Sequence, residues 1–218
     1  MSRAVLTISS KNYSSWSLRG WLLAHFAGLE FEEAVVPPDD PEVRAEMLLL
    51  ASSIRVPRLE NGAVKVWDTL AIGEYLNELR PQARLLPENQ VARAHCRAIC
   101  GEMHSGFANL RSALPMNLRG HFPGFRIWGR AQADIDRITR IWRECLVEYG
   151  GPYLFGAQRT MADAMYAPVT TRFITYDVKL DPACAGYCQT IVRMAEMVEW
   201  IEAARHEPVG IEELEVEF

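Results

Sequence analysis

Over the first eighty residues the spacing of apolar side chains changes repeatedly, and each change predicts a new element. Ala4 to Ile8 is a short, nearly continuous apolar run and reads as a buried strand. Ser17 to Ala27 then carries helical spacing closed by Gly28, Glu32 to Val36 returns to a strand pattern, and Pro37-Pro38-Asp39-Asp40-Pro41 breaks the chain. Glu42 to Leu50 is weakly helical. From Val56 to Trp67 two alternating runs flank Asn61-Gly62, a strong hairpin signal. Asp68 or Thr69 caps a helix through Leu79, which Arg80-Pro81 stops.

Beyond Val91 the period is helical throughout. Ala92, Cys96, Ile99, Met103, Phe107, Leu110 and Leu114 recur every three or four residues, as do Ile127, Ala131, Ile135, Ile138, Trp142 and Leu146, and then Ile191, Met194, Val198 and Ile201. The pattern predicts two units: residues 1–82, a linker over 83–90, and a helical bundle over 91–218. A β-α-β unit followed by a hairpin and a helix is the order of a thioredoxin-like domain. Its sheet must be mixed, because the first connection is a crossover and the later one a hairpin. The fold class is therefore an α+β thioredoxin-like domain followed by an all-α domain.

Composition narrows the function classes. With 218 residues, 49% hydrophobic and 23% charged, the chain has the material for a substantial core, and its formal charge of −5 offers no footprint for nucleic acid. No apolar run is long enough to span a membrane and the first residues lack an apolar leader core, so a cytoplasmic protein is expected. The five cysteines, Cys96, Cys100, Cys145, Cys184 and Cys188, form no Cys-x-x-Cys pair and have no histidine at zinc-binding distance. They read as reduced, buried thiols, and no metal is expected.

Four local signals carry chemistry. Ser14 and Ser15 stand where the first strand gives way to a helix, and hydroxyls and free N–H groups there both favour negative charge. Val56-Pro57 opens the hairpin, where a proline must lie on an edge or at a turn. Asp68-Thr69 begins a helix and can meet both an α-carboxylate and an ammonium, as an amino-acid head group requires. Thr160-Met161-Ala162-Asp163 fits a helix-starting capping box, a structural role.

Together these motifs resemble the cytosolic glutathione transferase family over essentially the whole chain. Ser14-Ser15-Trp16-Ser17-Leu18-Arg19 looks like the serine motif of the zeta class, Val56-Pro57 like the family's cis-proline, Asp68-Thr69 like its acidic-Ser/Thr site, and Phe155-Gly156 through Asp163 like the capping motif of its sixth helix. The zeta pattern has cysteine where this chain has Trp16. The resemblance implies glutathione as co-substrate, its thiolate on Ser14 with Ser15 ranked second, its cysteinyl backbone on Val56 and its γ-glutamyl end on Asp68 and Thr69. Arg55 is a candidate for the glycyl carboxylate, or a surface ion pair. A hydrogen bond to a charged acceptor is worth about 1.5–3 kcal/mol and one pKa unit about 1.36 kcal/mol, so one hydroxyl lowers a thiol pKa by roughly one to two units. From about 8.5 that reaches near neutrality.

The electrophile site is expected between the two domains, with Trp16, Met103, His104, Phe107 and Arg111 as candidates. Met103 and Phe107 also lie in an apolar stripe, which favours the core for them; His104, next to the stripe, is the better candidate or a structural histidine, and Arg111 would hold an anionic substrate or stand in solvent. The implied activity is glutathione S-transfer to a small hydrophobic electrophile in detoxification. Isomerisation of the maleylacetoacetate kind is the alternative, weakened by Trp16, and a non-catalytic binding protein of the same fold is another. A reductase working through mixed disulfides would need cysteine at the serine position. The family also implies a two-fold homodimer.

Overall fold

The computed structural model describes residues 3–36 and 56–207. Among these, β1 (Ala4–Ile8), α1 (Ser15–Phe26), β2 (Phe31–Val35), β3 (Arg58–Asn61), β4 (Val64–Trp67) and α2 (Thr69–Leu79) build the first unit. The sheet order is β2-β1-β3-β4, with β1 parallel to β2 and antiparallel to β3, so the expected mixed sheet is present. Central β1 is the apolar run and buries Leu6 and Ile8, whereas the edge strands carry Glu32, Glu33 and Lys65. Asn61 pairs with Val64, so the hairpin turns on Gly62-Ala63, one residue later than the sequence signal, with Gly62 at φ 61°. The weakly helical stretch Glu42 to Leu50 and candidate Arg55 lie outside the described residues.

The helical unit contains α3 (Gln90–Ser105), α4 (Ala108–Ala113), α5 (Gly129–Tyr149), α6 (Met161–Thr175), α7 (Pro182–Val192) and α8 (Ala195–Arg205). Two of the long apolar stripes prove to be broken helices. Gly106 closes α3 and Phe107 turns left-handed at φ 58°, yet Phe107, Leu110 and Leu114 remain buried. Likewise Ile191 ends in α7 while Met194 caps α8, and Val198 is exposed. Periodicity reported burial across these breaks, not helix continuity.

Helix α6 is buried on nearly every side, as its all-round apolar sequence requires, and α1, α3 and α7 pack around it. Its start is the predicted cap: the Asp163 carboxylate accepts from the Thr160 N–H at 2.7 Å, the Thr160 hydroxyl at 3.1 Å, the Leu154 N–H at 3.0 Å and the Tyr187 hydroxyl at 3.1 Å. No helix among the described residues is long and apolar enough to cross a membrane. All five cysteines are free and buried.

Candidate active site between the sheet domain and the helices

Ser14 is the N-cap of α1, which begins two residues earlier than its apolar spacing suggested. The Ser14 Oγ accepts from the Ser17 N–H at 3.3 Å and donates to the Ser17 Oγ at 2.9 Å, which also accepts from the Ser9 N–H at 3.0 Å. Two hydroxyls and a helix start are thus assembled at one buried point. A hydroxyl proton is free to turn, so the Ser14–Ser17 bond can reverse direction and release the Ser14 O–H toward an anion without breaking. Ser15 is the first helical residue, also buried, and its carbonyl accepts from Arg19 Nη1 at 3.3 Å.

Val56-Pro57 is cis and buried. Gly20 of α1 makes room for it: a Cβ there would stand 2.5 Å from the Pro57 Cβ. Asp68 has φ 73° and caps α2 with one carboxylate oxygen, accepting from the Leu70 N–H at 2.8 Å and the Ala71 N–H at 3.3 Å. Its other oxygen meets His104 Nε2 across the domain boundary. The Thr69 hydroxyl is buried without a hydrogen-bond partner among the described residues. An orphaned buried hydroxyl at a helix start suits the carboxylate end of an amino-acid head group.

His104 and Trp16 form one wall, with ring centroids 5.3 Å apart. Trp16 is also bracketed by cations: the guanidinium carbons of Arg19 and Arg111 lie 4.5 Å and 5.5 Å from its ring centroid. Met103 and Phe107 take the other course left open for them and belong to the core, Met103 with no exposed surface. Because the helix breaks at Gly106, Phe107 and Arg111 do not continue the face of α3 that carries His104.

Sequence reasoning passed over two charged residues. Arg19 is fully buried in the apolar face of α1, with Nε donating to the Met165 carbonyl at 2.8 Å and Nη2 unpartnered among the described residues. Arg172 is buried in α6, where Nε donates to the Leu114 carbonyl at 2.8 Å. Burial, then the charges of Arg172 and Arg111, drive Arg19 well below the usual guanidinium range. Burial, then Arg111, push Arg172 down to about 10. Burial also lowers Arg111, whose Nε has no partner among the described residues. Arg111 and Arg172 oppose the charge on Arg19, and Arg111 opposes that on Arg172, while Asp134 favours the charged form of Arg111; an anion would relieve the remaining repulsion. The signal lay in a charged residue set within the apolar stretch Leu18 to Leu23.

Two family models match the chain. One described as "Glutathione S-transferase, N-terminal domain" matches residues 13–79, and one described as "Glutathione S-transferase, C-terminal domain" matches residues 91–190. Among curated proteins the chain is similar to the maleylacetoacetate isomerase of Rattus norvegicus, 27% identical over 183 residues that span 83% of this chain and 82% of that protein. A probable maleylacetoacetate isomerase of Caenorhabditis elegans is 25% identical over 169 residues, 77% of this chain and 78% of that one. Among solved structures, a Burkholderia glutathione transferase homolog with bound glutathione has a TM-score of 0.69 at 20% identity, covering 94% of this chain and 98% of that chain. The maleylacetoacetate isomerase of Anaeromyxobacter dehalogenans, with bound dicarboxyethyl glutathione and citrate, has a TM-score of 0.67 at 23% identity, covering 95% and 98%.

Proposed function

The chain belongs to the glutathione S-transferase family, and we propose that it adds the glutathione thiolate to a small electrophile carrying a carboxylate. Glutathione would lie across the first domain. Its γ-glutamyl carboxylate would meet the unpartnered Thr69 hydroxyl, its cysteinyl backbone the Val56 edge, and its sulfur the Ser14 hydroxyl, with Ser15 next to it. Asp68 would receive the ammonium on the oxygen that now meets His104. The observation that carries the acidic electrophile is the pair of unpartnered guanidinium donors, Arg19 Nη2 and Arg111 Nε, on arginines bracketing Trp16 two residues from Ser14. Asp134 answers part of the Arg111 charge, but a purely hydrophobic partner would leave those two donors without a hydrogen bond.

The chemistry follows from those positions. The thiolate forms a C–S bond to the β-carbon of a conjugated double bond while the π pair moves onto the carbonyl oxygen, where charge is stabilised by nearby cations. Protonation at the α-carbon leaves a conjugate. Rotation about the new single bond followed by return of the electron pair and loss of the thiolate gives the isomer, with no net consumption of glutathione. The relatives' names favour the isomerising course, and serine rather than cysteine suffices for it because the residue donates a hydrogen bond and forms no bond to substrate. A cytoplasmic homodimer is part of the same proposal. Val64 and Trp67 on edge strand β4 and Val91 at the start of α3 leave apolar side chains exposed, as a subunit contact would use.

The test compares a cis-configured unsaturated acid with its ester, in wild type and Arg111→Ala. The acid should lose about tenfold to a hundredfold in kcat/KM, the value of one charge-assisted hydrogen bond, and the ester should change little. Equal losses for acid and ester would overturn the acidic reading. Chromatography of the product separates conjugate from isomer.

A further inference from the structure

The loop ahead of Ser14 is held from outside its own domain. Glu207, two residues past α8, places its carboxylate against three successive residues: Oε2 accepts from the Ser10 hydroxyl at 2.7 Å and the Asn12 N–H at 3.1 Å, and Oε1 accepts from the Lys11 N–H. Adjacent backbone N–H groups converging on one carboxylate fix the loop's dihedrals, since each bond constrains a different peptide plane. The Ser10 hydroxyl also accepts from the Tyr13 N–H at 3.3 Å, and the Ser10 carbonyl accepts from the Ser14 N–H at 3.0 Å. Ser10 thereby relays the carboxylate directly to Ser14.

The surrounding contacts hold Glu207 and the loop in register. Arg119 donates from Nη1 to the Glu207 carbonyl at 3.1 Å and from Nη2 to the Tyr13 hydroxyl at 3.1 Å. Trp200 Nε1 donates to the Lys11 carbonyl at 2.8 Å, and Asn12 is gripped from its side chain by Asn117 and the Arg119 N–H, each at 3.0 Å. None of these partners belongs to Val56, Pro57, Asp68 or Thr69.

From this geometry we infer that Glu207 is a positioning residue for Ser14: it sets where the serine hydroxyl meets the glutathione sulfur. The inference rests on the proposed role of glutathione. Loss of the carboxylate should therefore act on thiolate formation and turnover, while the segments that grip the rest of glutathione keep their hold. Small displacements of a reacting group cost up to about a hundredfold in rate.

The experiment uses the full chain as wild type, Glu207→Gln, Glu207→Ala, Ser10→Ala and, as a control, Glu202→Gln, whose carboxylate pairs among the described residues with exposed Arg205 and His206. Ultraviolet thiolate absorption against pH gives the pKa of bound glutathione, steady-state kinetics give kcat and KM, and amide exchange follows Lys11 and Asn12. Glu207→Ala should raise the bound thiol pKa by about one unit and lower kcat about tenfold or more, with KM for glutathione within about threefold of wild type. Ser10→Ala should move the same quantities in the same direction, and Glu202→Gln none of them. Faster exchange at Lys11 and Asn12 with an unchanged thiol pKa would overturn the inference while leaving the functional reading intact. A KM increase that accounts for the whole loss would do the same. Wild-type protein that binds no glutathione would refute the functional reading itself.

Discussion

Replacing Ser14 by alanine is the most direct test of the proposed site, because the structure separates its two costs. As N-cap, Ser14 accepts the Ser17 N–H, and losing a serine cap destabilises a protein by about 1 kcal/mol. As donor to a thiolate it is worth about 1.5–3 kcal/mol, which at about 1.36 kcal/mol per unit raises the bound thiol pKa by roughly one to two units. The second figure is not diminished by the existing Ser14–Ser17 bond at 2.9 Å, since that bond survives with its donor and acceptor exchanged. It is reinforced instead, because a hydroxyl that accepts a bond is a better donor. Ser14→Ala should therefore shift the acidic limb of the profile of kcat/KM for the electrophile, taken at saturating glutathione, upward by one to two units and cost tenfold per unit at pH values below it. Ser14→Thr should restore most of the shift, and Ser15→Ala should move the limb by less than about half a unit. The measurement is the pH profile together with thiolate absorption of the binary complex. A Ser15→Ala variant that shifts the limb while Ser14→Ala does not would refute the reasoning.

The other expectations concern the scaffold. Asp163→Ala strands four donors inside the protein, those of Leu154, Thr160 twice and Tyr187, and should lower the unfolding free energy by about 3–5 kcal/mol in urea titration; a loss below about 1 kcal/mol would show that the carboxylate is not what holds the start of α6. Gly20→Ala puts a methyl group 2.5 Å and 2.7 Å from the Pro57 Cβ and Cγ, so it should cost about 1–3 kcal/mol of stability despite alanine's better helix propensity. Calorimetric titration should find glutathione bound more weakly by that variant, because the strain falls on the segment carrying Val56.

Much of the first domain was legible because its signals are local. A proline at the hairpin entry, a positive-φ glycine in the turn and polar caps at the helix starts each act within a few residues, and the structure keeps them within one or two positions of where they were read. The helical domain was legible as burial but not as segmentation, since a single left-handed residue at Phe107 redirects the chain without altering which side chains face the core. Of the charges at the candidate site, Arg111 was singled out from the sequence for an anion, but Arg19 and Arg172 beside it were not. Arg19, Arg111 and Arg172 come from separate helices, and no spacing rule connects them. Asp68 and His104 were both singled out, but for separate tasks. Their meeting depends on the angle at which α3 crosses the start of α2, which is a tertiary fact.

The brace on the loop before Ser14 also has a consequence for the order in which the protein is made. Glu207 reaches partners 195 to 197 residues earlier in the chain. A ribosome-bound chain that has already completed its sheet domain still lacks that carboxylate, and contacts of such separation form late in folding. Ser14 belongs to the sheet domain, yet its surroundings are finished only when residue 207 has emerged. A chain that stops before residue 207 would carry the whole set of sheet-domain motifs with the loop before Ser14 unbraced, so the geometry around that hydroxyl depends on the far end of the helical domain.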